Sequence, residues 1–287
     1  MSASTVTLRG ERRQPVNKGN VVANVVLIIV CAGVILPCLF LVLGSLKQID
    51  EFFSSPFGFP SNPAWSNYAE AWDEGDLGTA FGVSAIATIG AVVLSTILAA
   101  LISYAISCLR LRWGQVVRVV FVAGLVVPVQ LIMLAIFILM RQMHVLGSVW
   151  SLVITYTTFG IPLGVLILVG FFQALPKELM EAARMDGAGH VGVFLQVVVP
   201  LSRPAITTVA ILNGVWIWND VFVALMLSTS SATQTLPLAI LNFFGTYSSE
   251  WGLIFASVVI SAVPVMIAYT LATRTFMKGL SAGALKE

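Results

Sequence analysis

Six stretches of this sequence run for more than about 20 residues with almost no charge, the length a helix needs to cross a hydrocarbon core. They lie at about 21–45, 82–107, 116–140, 150–172, 205–227 and 253–276. In lipid every backbone polar group must be bonded within its own segment, so such runs are helices. The expected fold is therefore all-α and integral to the membrane, with six transmembrane helices. A mean hydropathy of +0.97 and a charged fraction of 10% agree with this reading.

An even number of spans puts both termini on one side. Of the 15 Lys and Arg residues, only Lys47 and Arg141 then face the other way, so the termini are expected to be cytoplasmic. Residues 1–20 and 277–287 become cytoplasmic tails around a domain at 21–276, whose largest inner loop is 173–204. The first run follows a basic segment, but it is too long for a signal sequence and no small-x-small site closes it. It is read as a retained span. A net charge of +2 gives no basis for a nucleic-acid partner.

The outer loop between the first two runs carries Asp50, Glu51, Glu70, Asp73, Glu74 and Asp76, with Pro56, Pro60 and Pro63 ahead of "WSNYAEAW". Ser66 is positioned to cap a short helix there. The inner loop reads "LPKELMEAARMDGAGHVGVFLQVVVPLSRP", from Leu175 to Pro204. Pro176 suits a helix start, and the helix is expected to run to Met185 before the glycines of "DGAG" reverse the chain. Val191, Phe194, Leu195 and Val198 then recur at helical spacing, as one apolar stripe on a segment too short to span.

Polar groups at membrane depth are costly and face a bundle interior or a water-filled path. Asn213, Trp216 and Asp220 recur at three and four residues and would share a helix face, with Trp218 and Asn219 beside it. Rings next to amide and carboxylate groups suit a sugar, whose hydroxyls bond while its C–H faces stack. The same residues also suit an interfacial belt and a helix–helix bond. Pro128 and Gln130 in the third run, and "TYTTFGIP" at 155–162 in the fourth, read as packing or hinge features.

No GxxxxGK[ST] loop is present, so the chain brings no nucleotide site of its own. His144 and His190 fall on opposite membrane faces, and Cys31, Cys38 and Cys108 form no CxxC pair, so neither metal site nor disulfide is expected. A proton-coupled carrier of a small polar solute is the alternative reading, although Asp220 is the only acid inside an apolar run.

"EAARMDGAG" followed by "VVVPLSRP" resembles the EAA signature of the inner-membrane permease subunits of bacterial and archaeal ABC importers. "NPAWSNYAEAW", "WNDVFVALML", "TLPLAILNF" and "FMKGLSAGALKE" resemble the carbohydrate branch, in particular its second, maltose-type permease. Asp220 stands where many relatives carry glutamate, and "ALKE" stands where a small terminal residue is common. The resemblance implies a type I ABC importer permease fold, without catalytic activity, in a bacterial plasma membrane. It implies that Glu178, Glu181, Ala182, Ala183, Asp186, Gly187, Ala188 and Gly189 form a coupling helix and turn that enter a cleft of an ATPase. The implied partners are a second homologous permease, two cytoplasmic subunits that bind ATP and Mg, and an extracytoplasmic sugar-binding protein. That protein would meet the outer loop at 50–76 and the segment 247–251. Asn213, Trp216, Asn219 and Asp220 would line the path of the sugar substrate, and membrane lipid is a further expected partner of the chain.

Overall fold

The computed structural model describes the backbone of residues 18–109, 111–246 and 250–284, and the side-chain surroundings of 23–109, 111–244 and 250–270. Arg110, Tyr247 and the two chain ends beyond these limits lie outside the described residues, as do the side chains of Arg274 and Lys278. All described regular structure is helical. Helix α1 covers Lys18–Ser45, α2 Ile49–Ser54, α3 Ser66–Glu74, α4 Leu77–Ser107, α5 Gly114–Gly124, α6 Val129–Gln142 and α7 Val149–Gln173. Then come α8 Lys177–Met185, α9 His190–Val193, a π turn at Phe194–Val198, α10 Val199–Leu201, α11 Arg203–Asn219, α12 Phe222–Leu227, α13 Leu236–Thr246 and α14 Trp251–Ala284.

The centre of the fold is the pairing of α4 with α7. Lipid offers no hydrophobic drive for helices to associate, so close backbone approach has to supply packing energy. The sequence provides for it with small residues. On α4 the buried face is Ala87, Ala91, Ser95, Ala99 and Ser103, near one per turn. On α7 it is Gly160 and Gly164, a GxxxG pair. A Cβ built on Gly164 would stand 2.6 Å from the Ala99 Cβ, and one on Gly160 would stand 2.9 Å from Ser95 Oγ. Neither position admits a side chain at this spacing.

Four helices are long and apolar enough to cross a membrane alone, and six spans result if each of two bent pairs counts as one. The third apolar run is one of those pairs. Instead of a single helix over 116–140, α5 and α6 meet at 100° around residues 125–128. Pro128 stands just ahead of α6 with ψ of 128°, where its missing N–H costs nothing and its ring blocks continuation of α5. The fifth run is interrupted as well, because α11 ends at Asn219 and Asp220 is extended before α12 begins. At its other end α11 meets the segment His190–Leu201 at 76°. The last helix continues past the expected span end at 276 to Ala284.

The outer loop is stapled to the bundle. Lys47 is buried at 1% exposure and donates from Nζ to the carbonyls of Ser55 and Pro56, just past the C-terminus of α2. Asn67 donates to the carbonyls of Ser45 and Lys47, past the end of α1. Phe52 stacks on Trp251 with ring centroids 6.0 Å apart, which docks α2 on the start of α14. Ser66 does not cap α3: it is the first helical residue, and Trp65 occupies the cap position with no side-chain bond.

Candidate functional site

Helix α8 is a nine-residue platform held by a single buried side chain. Met180 is 8% exposed and packs into the cluster formed by Ala99, Tyr104, Val165, Leu168 and Phe172. Glu178, Glu181 and Ala182 are exposed, and Met185 is 88% exposed. The helix closes in a Schellman turn. Gly187 N–H donates to the Arg184 carbonyl at 3.0 Å and Ala188 N–H to the Ala183 carbonyl at 2.9 Å, while Gly187 adopts φ of +88°. A positive φ of that size favours glycine, whereas open space surrounds the position. Gly187 is there for its backbone and not for a close neighbour. Ala183 and Ala188, joined by the outer of the two bonds, are half-buried, and Asp186 and Gly189 are exposed.

After Gly189 the chain turns back toward the membrane domain. The hydroxyl of Tyr104, near the end of α4, donates to the His190 carbonyl at 3.0 Å and ties the start of α9 to the bundle. The stripe expected at Val191, Phe194, Leu195 and Val198 is only half on the buried side: Val198 is fully buried and Phe194 packs against the core, whereas Val191 is 71% exposed and Leu195 57%. Val193, outside that stripe, is fully buried together with Val198. The reason is the π turn at Phe194–Val198, whose wider pitch brings residues five apart onto one side. Ser202, buried at 0%, marks the bend into α11. The exposed platform is thus joined through one rigid segment and one bend to the polar helix of the membrane domain.

On that helix the polar residues do not share one face. Asn213 is 2% exposed, and its amide donates to the Gly160 carbonyl at 3.1 Å and to Ser95 Oγ at 3.4 Å, linking α11 to α7 and α4. Trp216 is 39% exposed and has the rings of Tyr156 and Phe159 set edge-on to it, at 5.8 and 6.2 Å. Asn219 is exposed and bonds back to the Val215 carbonyl of its own helix. Asp220 lies past the helix end, so it cannot continue the Asn213 and Trp216 spacing. Its Oδ2 accepts from Tyr156 Oη at 2.9 Å and from the Val223 N–H at 2.8 Å, which closes the first turn of α12. Trp218 turns the other way, into the core, and donates to the Ser261 carbonyl.

Tyr156, Phe159 and Tyr104 take part in these arrangements without having been singled out from the sequence. Tyr156 falls inside the "TYTTFGIP" stretch read only for hydroxyls and a hinge. Aromatic residues in an apolar run carry no signal of their own, and their partners lie 64 and 86 residues away. Among the described residues no group of three potential metal ligands occurs. The cysteines are free, Cys31 and Cys38 on the outer surface of α1 and Cys108 half-buried at the end of α4. Burial pushes the Cys108 thiol above its ordinary pKa, against the opposing field of Arg184.

Comparison with known proteins gives a consistent result. The family described as the binding-protein-dependent transport system inner membrane component matches residues 96–280. The chain is 30% identical over 267 residues to the diacetylchitobiose uptake system permease protein NgcG of Streptomyces coelicolor, covering 92% of this chain and 88% of that protein. It is 30% identical over 257 residues to the multiple sugar-binding transport system permease protein MsmG of Streptococcus mutans, covering 88% of this chain and 92% of the other. Among solved structures, one chain of a bacterial ABC transporter involved in the import of the acidic polysaccharide alginate superposes with a TM-score of 0.78 at 22% identity, over 90% of this chain and 96% of that one. The fold is the same.

Proposed function

The chain belongs to the binding-protein-dependent transport system inner membrane components, a family of non-catalytic transport subunits, and from that premise we propose that it is the permease of an ATP-driven sugar importer, coupled to its ATPase through α8. The observation that carries the coupling reading is the geometry of this helix. It is short, anchored by the buried Met180 with Ala183 and Ala188 packed beside it, closed by a Schellman turn, and leaves Glu181 and Ala182 exposed. A charged anchor beside small neighbours on a rigid helix suits a socket in another protein. Glu178, Ala183, Asp186, Gly187, Ala188 and Gly189 complete the inserted surface.

The sugar reading is supported by relatives named for diacetylchitobiose and for multiple sugars. The permease would pair with a second, homologous permease and two ATP-binding subunits on the cytoplasmic side, where both termini lie. ATP and its Mg would be held by those subunits. A sugar-binding protein would deliver substrate to the stapled outer loop. Closure of the ATPases would push α8, and the rigid segment from His190 to Leu201 would carry that displacement through the bend at Ser202 to α11. At α11 the exposed Trp216 ring and the side-chain carbonyl of Asn219, whose Nδ2 is held by Val215, offer the sugar contact. Asn213 and Asp220 serve the same site by holding its shape, through the bonds that Asn213 Nδ2 and Asp220 Oδ2 make within the protein.

The test is Glu181→Lys in the reconstituted transporter with its binding protein. Loss of sugar uptake and of binding-protein-stimulated ATP hydrolysis, with unchanged amounts of permease in the membrane, is the expected result. Uptake and stimulation at wild-type levels would sink the coupling assignment.

A further inference from the structure

A cavity of about 600 Å³ opens between the ends of α4 and α7 and the inner face of α8. Among its lining residues are Cys108, Gln173, Lys177, Glu181, Arg184 and His190. Its charge is unbalanced: two permanent cations against one carboxylate leave a net positive charge with His190 neutral. Among the described residues no ion pair forms, so neither Lys177 nor Arg184 is neutralised by Glu181. Arg184 is within electrostatic reach of the Tyr104 hydroxyl and the Cys108 thiol, both uncharged groups at neutral pH. The thiol in particular stays protonated, because burial raises it. The N-terminus of α8 adds to the imbalance, since Pro176 at its cap offers no side chain to its first amides.

The depth of the cavity is also marked. Its rim at Cys108 and Leu109 leads into Arg112 and Trp113, the latter 65% exposed at the start of α5. An exposed Trp beside Arg at the end of a spanning helix belongs at the headgroup level of a bilayer. Basic pockets between spanning helices at that level are suited to anionic headgroups.

We propose that this cavity binds a phosphate anion, carried there as the singly charged diester headgroup of an anionic phospholipid. Lys177 and Arg184 would face the phosphate, while Gln173 and the first amides of α8 would donate to its remaining oxygens. The charge matches a diester, one negative against one positive. Occupancy would brace the side of α8 that carries Lys177, Met180, Glu181 and Arg184. The cavity shares Glu181 with the proposed coupling surface, but anion binding by Lys177 and Arg184 does not depend on the coupling role of that helix.

The experiment uses the complete transporter in nanodiscs of phosphatidylcholine, with or without phosphatidylglycerol, and reads the rate at which N-ethylmaleimide labels Cys108, by peptide mass spectrometry. Occupancy protects the thiol by a factor of 1 + [L]/Kd, so lipid at ten times its Kd slows labelling about tenfold. Lys177→Gln together with Arg184→Gln removes the protection. Protection by soluble glycerophosphoglycerol or inorganic phosphate in phosphatidylcholine discs, equal to that by the lipid, keeps the anion site and assigns its occupant to solution. Equal labelling under all these conditions overturns the proposal, as does protection that survives the double substitution. If that variant does not assemble, native mass spectrometry of the wild-type transporter decides: phosphatidylglycerol retained through detergent exchange supports the site, and its full replacement by phosphatidylcholine overturns it.

Discussion

Tyr156 donates a 2.9 Å hydrogen bond to Asp220 Oδ2, and the same oxygen receives the Val223 N–H at 2.8 Å. One carboxylate therefore fixes two things, the angle at which α12 leaves the broken end of α11 and the position of that break against α7. Tyr156 also sets its ring edge-on to Trp216, so the exposed indole and the carboxylate are referenced to the same side chain. Asp220 is half-buried, and water can partly replace a lost partner.

Removing the hydroxyl in Tyr156→Phe is expected to cost about 1 kcal/mol, below the usual value for a bond to a charged acceptor because water can reach Asp220, and within the range found between membrane helices. A double-mutant cycle with Asp220→Ala, read by unfolding in detergent, should return a coupling of that size. Strictly additive single effects would show that the bond contributes nothing.

The α4–α7 contact gives a sharper contrast. At Gly164 a methyl group would sit 2.6 Å from the Ala99 Cβ, whereas at Gly170, two turns further along α7, nothing stands within 4 Å. Gly164→Ala is expected to destabilise by about 1–3 kcal/mol through overpacking. Gly170→Ala should be neutral or stabilising by up to about 1 kcal/mol, because alanine loses less backbone entropy in a helix. Equal midpoints for the two variants would contradict the close approach.

How far the sequence disclosed all this depends on the kind of force involved. Runs of apolar residues report length and therefore spans, and the EAA segment reports its helix and turn because Pro176 and Gly187 impose backbone angles locally. The small stripe on α4 and the GxxxG pair on α7 are periodic, yet which small residues meet is decided only when the two helices pack. The right-angled break before Pro128 was not legible. An all-apolar helix has no polar face to reveal its direction, and the proline alone is equally at home in a kinked helix such as α7, which runs unbroken through Pro162. The π turn was hidden for a similar reason, since Val191 to Val198 is apolar but for Gln196, too little for periodicity to choose between pitches. Lys47 reads as a solvated loop cation. Only the fold brings the Ser55 and Pro56 carbonyls around it and buries it.

Acidity should loosen one part of the outer loop. Glu51 Oε1 accepts the Ser61 N–H at 2.6 Å, and that bond, with a smaller contribution from Lys47, holds its carboxyl below the ordinary value of 4.5. A depressed carboxylate favours the docked loop above its ordinary pKa and loses that contribution as pH falls through the lowered one. Carbon-13 titration of Glu51 should give a midpoint below 4.5, with the Ser61 amide shift following the same curve. A midpoint at or above the ordinary value would mean the bond does not persist in the membrane-embedded protein.

The last prediction separates backbone from side chain at the turn after α8. If Gly187 matters because φ is +88°, then the residue that best tolerates that conformation should substitute best, whatever its size. Nothing lies within 4 Å of the position, so bulk is not penalised by neighbours within this chain. Gly187→Asn should keep most of the uptake, while Gly187→Val, β-branched and strained there by more than about 1 kcal/mol, should lose roughly tenfold as the Schellman bonds open and Glu181 drifts from its socket. ATP hydrolysis without stimulation by the binding protein should accompany that loss. Equal defects in Asn and Val variants would instead mean that the turn is pressed against the ATPase and cannot accept any side chain, which would move the functional weight from the turn's conformation to its surface.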